Sequence, residues 1–166
     1  RARTIGFIFQ TFNLLPVLSA FENVEYPLLQ MRELSAPERR ERVNHYLSKV
    51  GLAKYAHHRP NQLSGGQRQR VAVARALVTH SRVVLADEPT ANLDRRTGES
   101  ILNLMRDLNQ NDGTTFVFST HDKRVMNRAD RLVRMEDGQI TALGLRRDGA
   151  WKFVQDRRKP EDDPEI

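Results

Sequence analysis

Leu63-Ser64-Gly65-Gly66-Gln67 and Asp87-Glu88, the latter pair preceded by the apolar run Val83-Val84-Leu85-Ala86, are the residues whose types and spacing point to chemistry. Two glycines at a helix start leave backbone N–H groups bare. With the helix dipole and the Ser64 hydroxyl, they can grip a phosphate. The same residues also form a capping box, with Ser64 as N-cap and Gln67 three positions on. Glycine costs up to about 1 kcal/mol against alanine in a helix interior, so a purely structural cap has no need of two. The two readings are compatible. Asp87 and Glu88 follow a strand directly, and ligands of parallel α/β sheets bind beyond the carboxyl ends of the strands. There Asp87 can hold Mg²⁺ through water. Glu88, pointing the other way along an extended chain, can polarise a water for in-line attack on a γ-phosphate. The plainer alternative is a solvated turn, since Asp-Glu-Pro is good loop chemistry. His121 ends another apolar strand, where an imidazole can contact a γ-phosphate or orient the water, or serve only as a satisfied structural residue. Gln10 ends a third strand and could reach Mg²⁺ or water, or be no more than a polar strand end. The adjacent His57 and His58 lack metal-ligand spacing. Three apolar strands that each end in a group suited to Mg²⁺–phosphate chemistry read together as nucleotide hydrolysis.

The elements that must position these groups follow from the pattern. Thr4 to Phe9 is a β-rich run. The loop from Thr11 to Ser19 carries apolar residues, Phe12, Leu14, Leu15 and Pro16, that a surface loop does not need. Ala20 to Met31 is a helix broken near Pro27. Ser35-Ala36-Pro37-Glu38 starts a helix with a capping box, and Gly51 ends it. Ala53 to Gln62 is a polar loop. Ser64 starts a helix to about Val78, and Arg82 to Ala86 is a continuous apolar strand of the kind covered on both faces. Asp94 starts a helix to about Gln110, and Asn111-Asp112-Gly113 ends it. Thr114 to Ser119 is a further strand. Arg131 to Met135 and Gln139 to Ala142 flank Glu136-Asp137-Gly138, a hairpin signal. Gln155 to Ile166 is charged, contains proline and reads as disordered. Alternating strands and helices predict an α/β fold with a parallel sheet and a helical insertion over residues 20–80.

Composition narrows the class. The chain has 166 residues, enough for one domain or a large piece of one. Hydrophobic residues make up 39% and charged residues 29%, as in ordinary globular proteins. No apolar run approaches the ~20 residues needed to span a bilayer. The chain opens on Arg1-Ala2-Arg3 and enters a strand at once, without Met or a cleavage site, which suggests a missing N-terminal part. There is no cysteine, so disulfides and thiolate metal sites are excluded. The net charge is +6, and all of the excess lies before Arg146. The basic residues are spread out and not interleaved with aromatics, so the charge does not predict a nucleic-acid partner; an anionic nucleotide or a membrane-surface partner would suit it.

At this point the residues resemble the nucleotide-binding subunits of ABC transporters. Leu63 to Gln67 matches the LSGGQ signature without a change, and Val83 to Glu88 looks like the Walker B strand with its glutamate. Ala91-Asn92-Leu93-Asp94 resembles the D-loop, Gln10 the Q-loop glutamine and His121 the H-loop histidine. Order and spacing agree from residue 4 to about 142. Gly6-Phe7-Ile8-Phe9-Gln10 to Pro27-Leu28 is also similar to the lipoprotein-releasing and macrolide-export subfamily. The resemblance implies a P-loop NTPase-like (RecA-like) α/β parallel sheet core, residues 1–19 and 81–145, with an inserted helical signature subdomain over about 20–80. Residues 146–166 would be a charged, partly disordered tail. It implies ATP and Mg²⁺ as cofactors: Glu88 and His121 catalytic, Asp87 and Gln10 at the metal, and Gln10, Ser64, Gly65, Gly66, Gln67 and Asp94 at the nucleotide. It implies a head-to-tail dimer with a second ABC ATPase domain, a membrane permease as partner, no nucleic acid, and a peripheral place on the cytoplasmic face of the inner (plasma) membrane.

One departure matters. The P-loop pattern G-x-x-x-x-G-K-[ST] is absent. The spacing Gly144 to Gly149 is followed by Ala150-Trp151 and comes after the hairpin, so it is a chance match. The expectation is therefore an N-terminally truncated ABC ATPase that binds ATP poorly by itself and, when intact, energises an exporter of lipoprotein, lipid, peptide or macrolide-like cargo. A soluble ABC-type ATPase acting on DNA or ribosomes, or a non-catalytic half-domain lending its signature to a partner, are the competing readings.

Overall fold

A computed structural model describes residues 5–147 and 150–155. The chain divides into two compact units, Arg1–His121 and Asp122–Ile166.

In the first unit, β1 (Ile5–Ile8), β2 (Val83–Asp87) and β3 (Thr115–Ser119) form a parallel sheet in that order. The register sets Ile8 beside Ala86 and Asp87 beside Ser119. The helices are α1 (Ala20–Glu25), α2 (Ala36–Lys49), α3 (Gly65–Leu77) and α4 (Arg95–Asp112). Sequential parallel strands joined by right-handed crossovers place all their helices on one face of the sheet. That face carries Ile8, Val84 and Ala86, fully buried in one core with Val73, Leu77, Ile101 and Met105. Gly6 lies under α3 so closely that a Cβ would collide with the Ala76 carbonyl oxygen. The opposite face holds Ile5, Phe7 and Val117, each about half exposed. The unbroken apolar run of β2 predicts cover on both faces. Among the described residues only one face has it, because every crossover helix lies on the same side.

Local chemistry places the helix ends. Ser19 with Glu22, Ser35 with Glu38 and Ser64 with Gln67 each form a capping box. The helix expected to break near Pro27 does so: α1 gives way to a 3₁₀ turn over Tyr26–Gln30. The polar stretch 53–62 contains two short 3₁₀ turns, Ala53–Tyr55 and Pro60–Gln62. Gly113 ends α4 at φ 68°, a conformation that costs glycine nothing.

The second unit contains α5 (Lys123–Met126) and the antiparallel strands β4 (Arg131–Glu136), β5 (Gln139–Arg147) and β6 (Ala150–Gln155). Asp137 and Gly138 both have positive φ, 49° and 78°, as a two-residue hairpin turn demands. The hairpin runs longer than the sequence suggests, and β6 falls where the sequence suggests a charged tail. Gly144 explains part of this pairing: a Cβ there would lie 2.8 Å from the Phe153 ring. Residues 156–166, the rest of the stretch read as disordered, lie outside the described residues. Among the described residues no helix is long and apolar enough to cross a membrane.

Candidate active site

The carboxylate pair sits where β2 ends beside β3. Asp87 is the last residue of the strand and is exposed. The sequence predicts Glu88 on extended chain; instead the backbone turns left-handed there, at φ 41°. A non-glycine residue in that region costs of order 1–3 kcal/mol and persists only where its surroundings over-determine it. The surroundings here are hydrogen bonds. The Glu88 N–H donates to the Ser119 carbonyl at 2.9 Å. The Thr120 hydroxyl donates to Oε2 at 3.0 Å, and the His121 N–H donates to Oε1 at 3.0 Å. His121 Nδ1 lies 2.6 Å from the same Oε1. The turn thus points the carboxylate across the sheet at the end of β3. The Glu88 side chain is only 18% exposed, whereas that of His121 is 89% exposed. The carboxylate is anchored, and the imidazole it holds reaches into solvent.

The glycine pair lies at the start of α3. The Ser64 hydroxyl accepts from the Gln67 N–H at 3.3 Å, and Gln67 Oε1 accepts from the Ser64 N–H at 2.8 Å. The capping reading therefore describes the local geometry. The glycines also have a packing reason. A Cβ on Gly66 would collide with Thr97 Cγ2, and one on Gly65 would lie 3.4 Å from Leu93 Cδ2. The start of α3 thus abuts the start of α4. Ser64, Gly66, Gln67, Arg70, Arg96 and Thr97 line one open groove; Arg70 donates to the Val50 carbonyl and the Ser100 hydroxyl, and the Arg96 guanidinium and the Gly65 and Gly66 N–H groups suit an anion. Asp94 caps α4, its Oδ1 accepting from the Thr97 N–H at 3.0 Å. Hydrogen bonds from the Thr97 side chain and then its backbone hold the Asp94 carboxyl below the usual aspartate range.

Gln10 follows β1 and is exposed, and its carbonyl accepts from Asn92 Nδ2 at 2.8 Å. Gln10, Asp87 and His121 therefore follow or end neighbouring parallel strands at one edge of the sheet, and Glu88 and His121 are bonded to each other. Ser64–Gln67 and Asp94 form a second group around the abutting ends of α3 and α4.

Three residues outside the expected set tie these pieces together. Gln69 is fully buried, and its Nε2 donates to the Pro89 carbonyl at 2.9 Å. This links α3 to the residue after Glu88. Arg75 of α3 donates to the carbonyls of Phe12 and Asn13. Burial pushes its pKa below the usual arginine value, yet a guanidinium stays charged in a protein. Thr120 holds the second oxygen of Glu88. Helical spacing did carry a signal for Gln69: it shares a face with Ala72, Val73 and Ala76, where a polar residue needs a partner.

Among the described residues no cluster of three or more His, Asp or Glu side chains could hold a metal ion. Mg²⁺ keeps several waters and uses one or two carboxylates plus phosphate oxygens. Asp87, exposed at the strand end, fits such a role.

A parallel sheet with chemistry at its carboxyl edge and a glycine-started helix beside it defines an α/β domain of the kind that binds ligands beyond the ends of its strands. The chain belongs to the ABC transporter family, whose model matches residues 1–91. It is 50% identical over 151 residues to the lipoprotein-releasing system ATP-binding protein LolD of Anaeromyxobacter dehalogenans, covering 90% of this chain and 63% of that protein. It is 49% identical over 142 residues to the macrolide export ATP-binding/permease protein MacB of Rhodopseudomonas palustris, covering 86% of this chain and 21% of that protein. The fold matches a dimeric post-hydrolysis state of the ATP-binding cassette MJ0796, a protein of Methanocaldococcus jannaschii, bound to ADP and Pi. There the TM-score is 0.74 at 46% identity, over 86% of this chain and 62% of that one. The chain thus spans no more than about three-fifths of the length of these relatives.

Proposed function

We propose that this chain is the signature- and carboxylate-bearing part of an ABC ATPase that powers an exporter of the lipoprotein-releasing or macrolide-export kind. The observation that carries the proposal is the Glu88–His121 pair, strained into place at the ends of β2 and β3. The likeness to LolD and MacB supports the transporter assignment.

ATP with Mg²⁺ would supply the phosphoryl group and the charge that activates it. Glu88 accepts a proton from, or orients, the attacking water. His121, held by the same carboxylate, would contact the γ-phosphate or orient the water. Asp87 and Gln10 would be the residues at the metal, Asp87 holding it through water. Ser64, Gly65, Gly66 and Gln67, with Asp94 capping the abutting helix, close on nucleotide held by a second ABC ATPase domain arranged head to tail. The dimeric state of MJ0796 with ADP and Pi supports that reading. The phosphate loop would come from polypeptide outside these 166 residues. A permease would be the membrane partner, with the domain peripheral on the cytoplasmic face.

Isothermal titration tests the proposal. The intact protein is expected to bind Mg-ATP in the micromolar range and hydrolyse it, and the 166-residue chain alone to do neither. Micromolar affinity in the isolated chain, or no turnover by the intact protein, would overturn it.

A further inference from the structure

The turn after Gln10 is held in a costly shape by side chains from distant elements. Phe12 and Asn13 are consecutive non-glycine residues with φ 65° and 47°. Each such conformation needs support from outside. Local bonds supply little: the Phe12 N–H donates to the Phe9 carbonyl at 3.1 Å, and the Asn13 N–H to the Thr11 carbonyl at 2.8 Å. The Thr11 hydroxyl also donates to Asn13 Oδ1 at 2.8 Å, which fixes that side chain and leaves the Phe12 and Asn13 carbonyls to α3. Arg75 Nη2 donates to the Phe12 carbonyl at 2.7 Å, and Nη1 donates to the Asn13 carbonyl. One planar fork thus grips two successive carbonyls, which a lysine ammonium cannot match. One face of the Phe12 ring meets Arg68 of the same helix, whose guanidinium carbon lies 5.2 Å from the ring centroid. On the other side of the turn, Asn92 holds the Gln10 carbonyl. Arg75 is half-buried, and withdrawing a guanidinium from water is costly unless charge-assisted hydrogen bonds offset it. An arginine serving only solubility would point outward.

We propose that Arg75 is a positioning residue for the hydrolytic step: by locking the turn after Gln10 to helix α3, it holds Gln10 where the reaction needs it. The inference rests on the function proposed above. Arg75 itself touches no reacting atom.

The test uses the intact protein with Arg75→Ala and Arg75→Lys, read by hydrogen exchange and by steady-state ATPase kinetics. Arg75→Ala is expected to raise amide exchange over residues 10–15 by about tenfold while exchange over 68–77 stays unchanged. It is expected to lower kcat by about tenfold with KM for Mg-ATP within about twofold, the pattern of lost transition-state positioning. Arg75→Lys keeps the charge but loses the planar fork, and is expected to fall between the two in both readouts. Unchanged exchange over 10–15 would overturn the proposal. So would loosening of the turn at unchanged kcat, or a fall in kcat accompanied by loosening of α3 itself, since either makes the contact structural only. If Arg75→Ala does not fold, Arg75→Lys decides alone: an intermediate effect in both readouts supports the lock, and wild-type behaviour in either removes it. If the intact wild type shows no ATPase activity, the functional proposal fails, while the exchange experiment still decides whether Arg75 holds the turn.

Discussion

Glu88 shows how one residue joins chain conformation to chemistry. Its left-handed backbone would be unfavourable in isolation, and the Ser119 carbonyl, the Thr120 hydroxyl and the His121 N–H together hold it. Its type and its place after an apolar strand are readable from the sequence. A turn is offered by Asp87-Glu88-Pro89, but its left-handed sense is not readable, because no residue there announces positive φ. Gly66 offers the converse case. It looks like a phosphate glycine, and it is also a packing glycine, facing Thr97 Cγ2. Gly66→Ala gains up to about 1 kcal/mol of helix propensity but overpacks a stiff β-branched neighbour, which costs about 1–3 kcal/mol. The packing term is expected to win. Thermal unfolding of the intact protein should show Gly66→Ala destabilised and the Gly66→Ala/Thr97→Ser double variant largely restored, since serine lacks the colliding methyl. Equal melting of the single and double variants would show that the two helix ends do not abut there.

At the scale of elements, helix starts were the most legible features. Ser35-Ala36-Pro37-Glu38 and Ser64-Gly65-Gly66-Gln67 carry their caps within four residues, so local chemistry decides them. Strand cover and the 3₁₀ turns were less legible, because they depend on what packs alongside. β6 was missed because its pairing relies on Gly144 of another strand. The Ser35 cap makes a pH-dependent prediction. The Ser35 hydroxyl donates to the Glu38 carboxylate at 2.6 Å, and the Ser35 N–H donates at 2.8 Å. Together they hold the Glu38 carboxyl below the usual glutamate range, the hydroxyl contributing most. The folded pKa lies below the unfolded one, so the cap contributes fully above the ordinary glutamate value and is lost as pH falls through the lower folded value. An NMR titration should show the Ser35 amide moving with a midpoint below that of a free glutamate, and not moving in this window in Glu38→Gln. A midpoint at or above the free value would rule the cap out.

Across the whole molecule, two clusters divide the proposed work. Glu88, His121, Asp87 and Gln10 share the carboxyl edge of the sheet, and Ser64–Gln67 with Asp94 lie where α3 meets α4. Gln69 and Arg75 connect the clusters by bonds that only the folded chain reveals, because their partners are backbone carbonyls far away in sequence. The alternation of strands and helices makes the parallel sheet legible, but neither its strand order nor the open face holding Ile5, Phe7 and Val117, since both depend on where the crossovers pass. In the proposed function the anchored carboxylate acts on water during ATP hydrolysis. Steady-state turnover by the intact protein carrying Glu88→Gln tests it most directly. The amide keeps the shape but loses the basicity, so kcat is expected to fall by about 10²–10⁴-fold while Mg-ATP still binds. Turnover at the parental rate would contradict the account.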